Sequence, residues 1–241
     1  VDPQARIPGS SFTINGGEKV LLFRYAPYAY ENDVWIATYS EKDFAGGRAS
    51  YSDEFDTVSP MHYDMEVDLR EARRLLKARV RIDFESLVPG LNVVSMILNE
   101  SLSEFDNWRL KHSMRVKTAR CGGKDIAFLQ EDWESGLSLI LPGTVGKGDR
   151  FSIEMTLEGD FIDDQRSIEK GYYPQSNTSW YPRHGYLKRS TYNMLFRSDK
   201  NDAVASVGNL VREAVWPDTK GDRLTEFRID KPVSFVTFAA G

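Results

Sequence analysis

The sequence has few of the features that mark disulfide-rich, membrane-spanning or nucleic-acid-binding proteins. Its one cysteine, Cys121, cannot form a disulfide within the chain, and the Gly122-Gly123 pair after it indicates a turn beside a buried or inert thiol. No apolar run reaches the roughly 18 residues that span a bilayer. The net charge of -5 repels phosphate backbones, so nucleic acid is not an expected partner.

Catalytic motifs are missing as well. The three histidines, His62, His112 and His184, are far apart and none precedes Glu, so the chain has no His-Glu-x-x-His zinc motif. Two interpretations of the histidines remain. One is a zinc site that the fold assembles from all three, and the other is separate surface or hydrogen-bonded histidines. The nucleophile elbow of serine hydrolases and the glycine-rich phosphate motifs are also missing. The acidic run at residues 131–134 has the residue types of a glycosidase carboxylate pair, but an exposed loop is the favoured interpretation.

What the sequence does have is regular alternation. Hydrophobic residues make up 41% of the chain and aromatic residues 12%, which suits a buried core and β structure. Residues 77–84 and 150–158 alternate apolar and polar side chains, which predicts half-buried antiparallel strands. Weaker strand candidates are residues 19–25, 34–39, 63–69, 91–98, 110–117, 137–141, 191–196, 225–229 and 233–238. Short turns separate them, so the predicted fold is all-β and mostly antiparallel, a saddle-like or sandwich domain.

Three segments interrupt this pattern. Residues 68–78 are rich in good helix formers, and a hairpin with a long charged turn is the alternative. A short helix is an option around residues 161–169. The stretch at residues 44–60 has the composition of a linker. It divides the chain into a small N-terminal β hairpin unit with its linker, residues 1–59, and a main β domain, residues 60–241.

Residues 171–188 combine aromatic side chains, prolines and amide or hydroxyl groups without clear periodicity. One interpretation is a recognition loop that offers aromatic surface to a ligand. The other is an ordered connection whose aromatic side chains cover the edge of the sheet. The sequence supports both equally.

A series of landmarks makes this region similar to a known family. They are Gly171-Tyr172-Tyr173-Pro174, Trp180-Tyr181-Pro182, a strand with Tyr192, Met194 and Phe196, then residues 205–210 and the closing residues 232–241. Their order resembles the N-terminal β domain of M1-family (gluzincin) zinc aminopeptidases. Residues 62–69 look like the opening strand of that domain and residues 78–84 like its partner, which favours a hairpin at residues 68–78. The resemblance covers residues 60–241.

The resemblance implies a saddle-shaped β domain that packs on a thermolysin-like catalytic domain. Zinc is expected in that catalytic domain, and no catalytic residue is carried over to this chain. One loop of the family's domain helps to line the pocket for the peptide substrate. At that place the candidate cleft residues are Gln175, Asn177, Trp180 and Tyr181. Residues 180–188 replace the stretch that usually follows, which is typical of a divergent or inactive relative.

The expected function is therefore that of a non-catalytic region, not of an enzyme. It would pack on the catalytic domain of the same parent chain and line one side of its cleft. The start at Val1 and the apolar end at Gly241 are interpreted as cuts from a larger soluble protein, cytoplasmic or exported. A free-standing β-sandwich module that binds carbohydrate or protein is the alternative, and a small hydrolase using paired carboxylates is a third hypothesis with less support. In the first case the isolated chain is expected to expose an apolar patch and to self-associate.

Overall fold

The computed structural model describes residues 10–25, 33–46, 56–72, 75–98, 102–104, 107–130, 136–160, 162–164, 171–174, 179–185, 188–215 and 221–241. Within these ranges the regular secondary structure is almost entirely β-strand, which confirms the predicted fold class. One short helix is described, α1 (Glu41–Ala45), and no described helix is long and apolar enough to cross a membrane.

The strands fall into five sheets. In chain order they are β1 (Ser10–Phe12), β2 (Glu18–Tyr25), β3 (Asp33–Ser40), β4 (Val58–Asp68), β5 (Leu76–Ser86), β6 (Leu91–Ile97), β7 (Leu102–Glu104), β8 (Asn107–His112), β9 (Met114–Cys121), β10 (Lys124–Asp125), β11 (Phe128–Gln130), β12 (Gly136–Val145), β13 (Arg150–Gly159), β14 (Ile162–Asp164), β15 (Tyr172–Pro174), β16 (Ser190–Ser198), β17 (Val204–Ser206), β18 (Asn209–Val215), β19 (Arg223–Val233) and β20 (Phe238–Ala240).

The largest sheet has eight strands in the order β10-β9-β13-β5-β4-β16-β19-β18. All its neighbours are antiparallel except β4 and β16, which run parallel. The alternation predicted for β5 and β13 puts Val80, Ile82, Ile153 and Met155 on the core side, where none of them is exposed. The opposite faces of the same strands carry charged side chains. The result is a sheet with one apolar and one polar face.

The contested segment between β4 and β5 is a hairpin turn, as the resemblance favoured. Leu69 and Ala72 are buried in the core, and the N–H of Leu75 donates to the carbonyl of Glu71 (2.8 Å). Long-range pairing of the two flanking strands therefore overrides the helix propensity of the sequence. The helix considered around residues 161–169 is wrong at residues 162–164, which form β14; residues 161 and 165–169 lie outside the described residues.

Two smaller sheets share the core with the large one. They have the strand orders β11-β12-β6 and β14-β15-β20-β17. Buried side chains from both, including Leu91, Leu139, Tyr172 and Phe238, belong to the same continuous apolar cluster as the core face of the large sheet. The protein therefore has one shared core between its sheets, as expected for a layered β domain.

Two predicted strands are each divided in two. Residues 110–117 are split at Ser113 between β8 and β9, because the backbone of Ser113 pairs with Asp160 instead of a neighbouring strand. The chain also passes so close to Gly159 that a Cβ there would lie 1.9 Å from the Ser113 carbonyl oxygen. Residues 233–238 are interrupted after Val233, and the ladder resumes only at Phe238.

The N-terminal strands β1, β2 and β3 form a separate antiparallel sheet that is tied to the main domain through Asn15. The side chain of Asn15 donates to the carbonyl of Val93 (3.2 Å) and accepts from the N–H groups of Asn92 (2.9 Å) and Val93 (3.0 Å). A Cβ on the neighbouring Gly16 would lie 1.7 Å from the Pro89 carbonyl oxygen, so only glycine fits this contact. The separation into residues 1–59 and 60–241 stays a prediction, but β4 already begins at Val58, inside the predicted linker.

Replacing Asn15 by Ala is expected to lower the free energy of unfolding by about 1–3 kcal/mol, because three hydrogen bonds between the N-terminal sheet and β6 are lost. Urea denaturation followed by tryptophan fluorescence measures the change. The matched control is Asn209→Ala, which removes an exposed side chain and is expected to change stability by less than about 0.5 kcal/mol. An unfolding midpoint unchanged by Asn15→Ala would contradict this account of the junction.

Candidate functional site

The aromatic segment singled out in the sequence is part of the core where the structure describes it. Trp180 and Tyr181 are fully buried. The indole N–H of Trp180 donates to the carbonyl of Val236 (3.0 Å), and the hydroxyl of Tyr181 accepts from the N–H of Val236 (3.2 Å). Val236 lies between β19 and β20, where no strand pairs with it. The two aromatic side chains therefore supply the hydrogen bonds that a sheet would otherwise provide.

These two side chains belong to a larger aromatic cluster. Tyr63 on β4 stacks on Tyr192 on β16 with ring centroids 4.9 Å apart, and Tyr181 meets Tyr63 edge-on at 5.7 Å. Trp180 packs edge-on against Phe238 at 5.3 Å. Burial raises the pKa of the hydroxyls of Tyr63 and Tyr181 well above the ordinary tyrosine value, so both stay neutral and serve as hydrogen-bonding groups.

Of the four predicted cleft residues, the structure describes two. Gln175 and Asn177 lie outside the described residues. Trp180 and Tyr181 lie next to each other with ring centroids 5.0 Å apart, and both are enclosed by other side chains of this chain. Here the structure favours the interpretation of residues 179–182 as an ordered connection that covers the core. The assignment of the four residues to a substrate cleft stays a prediction.

The residues after Tyr181 fasten the segment to its surroundings. The backbone of Arg183 forms an isolated bridge with Ile97, with N–O distances of 2.9 and 2.6 Å. Its guanidinium donates to the carbonyl of Ser234 (3.0 Å) and lies 4.9 Å from the centroid of the Phe235 ring.

His184 and Lys188 join this segment to the chain ahead of β4. The imidazole of His184 contacts the Ser95 carbonyl through Nδ1 (2.7 Å) and the carboxylate of Asp56 through Nε2 (3.2 Å). Lys188 forms an ion pair with the same carboxylate. Burial raises the pKa of Asp56, but the bonds from His184 and Lys188 outweigh it and hold the pKa below its usual value.

The two histidines with described side chains, His62 and His184, do not come together. His62 lies on the opposite face of the sheet from the aromatic cluster, between Thr191 (2.7 Å) and Asp64 (3.3 Å), while His184 contacts Asp56. The side chain of His112 lies outside the described ones. In the described part of the chain, no three His, Cys, Asp or Glu side chains are grouped to hold a metal ion. Cys121 is buried, as predicted, and burial raises the pKa of its thiol.

On the polar face of the eight-stranded sheet, side chains of opposite charge lie next to each other on neighbouring strands. The pattern of a single strand does not show this arrangement. Strand register aligns the side chains of this face in rows across the sheet, with opposite charges at neighbouring positions. The three central rows, read from β19 to β9, are Leu224-Arg197-Asp68-Lys77-Glu158-Arg115, Glu226-Leu195-Glu66-Arg79-Thr156-Thr118 and Arg228-Asn193-Asp64-Arg81-Glu154-Arg120.

A groove of about 650 Å³ crosses this charged face. Two outward-facing leucines, Leu195 on β16 and Leu224 on β19, line it together with side chains from β4, β5, β9 and β13. Both leucines are half-buried. They were missed because neither stands out in the sequence, and only the register brings them onto neighbouring strands.

The edge strand β18 forms a second unusual surface. With the preceding turn it exposes four apolar side chains: Val207 (38%), Leu210 (55%), Val211 (48%) and Val215 (56%). We call these four residues the β18 ledge. Ion pairs from Arg212 to Glu226 (3.3 Å) and from Arg223 to Glu213 (3.2 Å) hold the strand on β19. Its other edge is the edge of the sheet.

Comparison with known proteins identifies similar folds but no similar sequence. Neither a protein-family model nor a curated protein matches the chain. Among solved structures, a mutant M1 zinc metallopeptidase from Deinococcus radiodurans bound to a Tyr-Ser-Ala substrate is similar over 77% of this chain and 42% of its own, with 15% identity and a TM-score of 0.61. The M1 zinc metallopeptidase of the same organism, in a structure described without that substrate, is similar over 78% and 43%, with 13% identity and a TM-score of 0.60.

A two-domain M1 zinc metallopeptidase mutant bound to L-arginine gives the same result, with 14% identity, 77% and 42% coverage and a TM-score of 0.61. At such low identity the likeness shows the fold alone. This chain has the fold of part of an M1 zinc metallopeptidase and spans less than half the length of these proteins. The resemblance to the N-terminal domain is thereby supported at the level of the fold.

Replacing Tyr181 by Phe is expected to lower the free energy of unfolding by about 1–3 kcal/mol, because the N–H of Val236 is left buried without an acceptor. Thermal and urea denaturation measure this change. Tyr173→Phe, at a neighbouring half-buried tyrosine, is the control and is expected to cost less than about 0.5 kcal/mol. Equal stability of the two variants would contradict the role assigned to Tyr181.

Replacing Asp56 by Asn is expected to destabilise the protein at neutral pH but not at low pH. The pKa of Asp56 is lowered by folding, so its contribution is full above the ordinary carboxyl pKa of about 4 and is lost as the pH falls through the folded value. Unfolding free energies of wild type and variant at pH 7, 5 and 2.5 test this. Asp125→Asn, at an 84% exposed carboxylate, is the control and is expected to have little effect at pH 7. A difference in unfolding free energy between wild type and Asp56→Asn that is larger at pH 2.5 than at pH 7 would contradict the prediction.

Proposed function

We propose that this chain is the non-catalytic β region of an M1-like zinc metallopeptidase, packing on a catalytic domain of the same parent protein and lining one side of its substrate cleft. The observation that carries the proposal is the fold: 77% of the chain superimposes on M1 zinc metallopeptidases at a TM-score of 0.61. The match is to 42% of those proteins, which leaves room for a catalytic domain in the remainder. In this proposal the zinc ion belongs to that domain.

The β18 ledge supports the proposal because it is a surface suited to docking. Several exposed apolar side chains on an edge strand are uncommon on proteins that stay monomeric, since such edges promote association. In the parent protein the catalytic domain would cover the ledge. The isolated chain would then bury it by self-association.

The alternative of a carbohydrate- or protein-binding module was motivated by the aromatic segment. Two of the aromatic side chains in question, Trp180 and Tyr181, are buried and cannot stack on a ligand. No described residue of that segment favours the alternative.

The direct test is made on the parent protein. Its coding sequence is expected to contain a His-Glu-x-x-His motif after the codon for Gly241, and the purified parent is expected to bind one zinc ion per chain and to release N-terminal residues from peptides. The present chain alone is expected to show no such activity. A parent without the motif would overturn the peptidase part of the proposal.

The docking role of the β18 ledge is tested on the chain itself. Sedimentation velocity is expected to show concentration-dependent association, and Leu210→Asp is expected to abolish it by placing a charge in the contact. The control is Leu129→Asp, which changes an equally exposed leucine (58% against 55%) on a different sheet and is expected to leave the association intact. A wild-type chain that sediments as a monomer at high concentration would contradict this role.

A further inference from the structure

The groove on the polar face contains two residues that do not fit their surroundings. Most side chains on this face of the large sheet are charged or polar, yet Leu195 and Leu224 lie here on adjacent strands. An outward-facing leucine on a charged face adds nothing to the core on the other side of the sheet. Together the two form an apolar floor in a concave surface, which is the usual form of a small ligand site.

Most charges around this floor already have close partners. Arg79 pairs with Glu154 (3.0 Å), Lys117 with Glu158 (2.8 Å) and Arg197 with Asp222 (2.7 Å). Asp68 is held by the guanidinium of Arg70, at 2.9 Å from Nε. These groups satisfy one another, so they contribute little attraction to a ligand.

Two charges on the groove wall are paired only loosely. The ammonium of Lys77 is 3.9 Å from Glu71, and the carboxylate of Glu66 is 3.9 Å from an Arg79 that is already engaged. The side chains of Lys77 and Glu66 are 50% and 64% exposed. They stand on neighbouring strands two positions apart in register, roughly 8 Å between Cα atoms from ordinary sheet spacings. Among the described residues that line it, the groove thus offers one available cation and one available anion beside an apolar floor.

This combination selects the chemistry of the occupant. A nucleic acid or other polyanion would meet the carboxylates of Glu66, Asp68 and Glu158. A sugar would find no aromatic platform among the described residues that line the groove. A peptide can supply an apolar side chain to the floor, a carboxylate to Lys77 and a cation to Glu66 at once.

We propose that the groove over Leu195 and Leu224 binds an extended peptide segment whose side chains on one face are acidic, basic and apolar, in that order. The register places Lys77 on β5, Glu66 on β4 and the two leucines on β16 and β19 in the same order across the sheet, and in an extended chain residues two apart point to the same side about 6.6–6.8 Å from each other. The floor supplies the apolar contact and Lys77 and Glu66 fix the orientation. The site lies on the charged face and does not depend on the proposed metallopeptidase role.

The probe is the capped pentapeptide acetyl-Glu-Thr-Lys-Thr-Leu-amide, titrated into the full ¹⁵N-labelled chain and followed by heteronuclear NMR. Saturable shifts are expected at the amides of Leu195, Leu224, Lys77 and Glu66. The same peptide with Ser in place of Leu is expected to bind at least tenfold more weakly. No saturable shifts up to millimolar peptide, equal binding of the two peptides, or shifts centred elsewhere would overturn the proposal.

Variants of the chain test the two kinds of contact separately. Leu224→Glu is expected to weaken binding at least tenfold, whereas Ile140→Glu, at an exposed isoleucine on another sheet, is the control and is expected to leave it unchanged. Lys77→Glu is expected to weaken binding about threefold, in line with an exposed ion pair. A peptide with Lys in place of its Glu should restore the affinity of this variant. If the peptide with Lys in place of Glu does not restore binding, the assigned orientation is wrong. The comparison of the two peptides on the wild-type chain does not depend on whether a variant folds.

Discussion

The parallel pairing of β4 with β16 is the contact on which the large sheet depends. It joins two antiparallel halves, β10-β9-β13-β5-β4 and β16-β19-β18, that are far apart in the chain. On the core side the joint is held by the stacked rings of Tyr63 and Tyr192. On the opposite side it is held by the bonds of His62 to Thr191 and of Asn193 to Asp64, and at its end Ser190 donates to the carbonyl of Pro60. Without this joint the charged face, its groove and the β18 ledge would no longer belong to one sheet.

The aromatic segment packs against the same pair of strands, β4 and β16. Tyr181 contacts Tyr63 and Tyr192 edge-on, and with Trp180 it satisfies the unpaired backbone at Val236. Aromatic and proline landmarks in this region are therefore explained by packing and by backbone hydrogen bonding. This explains how the chain can share a fold with M1 zinc metallopeptidases while sharing few residues with them. What is common to them is the requirement of a layered β core, and many sequences can meet that requirement.

Local sequence patterns predicted the strands that are buried on one face. In β5 and β13 one face contacts the core and the other contacts water, so period-two alternation is strong. Alternation does not predict β18, because nearly every residue of that strand is exposed. It also fails at β14, where three residues gain their structure from pairing with β15.

The functional surfaces were harder to predict than the strands, since they depend on register between distant strands. Leu195 and Leu224 became neighbours only through the pairing of β16 with β19. The contacts of Asp56 with His184 and Lys188 join segments more than 120 residues apart, as the sequence separation of 128 between Asp56 and His184 shows. The predicted cleft residues Trp180 and Tyr181 stand out in the sequence, but residue type alone does not distinguish a ligand contact from a buried hydrogen-bonding role.

The central claim is that this β region packs on a catalytic domain. Hydrogen–deuterium exchange, measured by mass spectrometry on the chain alone at low concentration and on the parent protein, tests it most directly. Amides of residues 209–215 are expected to exchange quickly in the chain alone and to become protected in the parent protein, while those of the core strands β5 and β13 exchange slowly in both. Equal exchange of residues 209–215 in the two samples would contradict it.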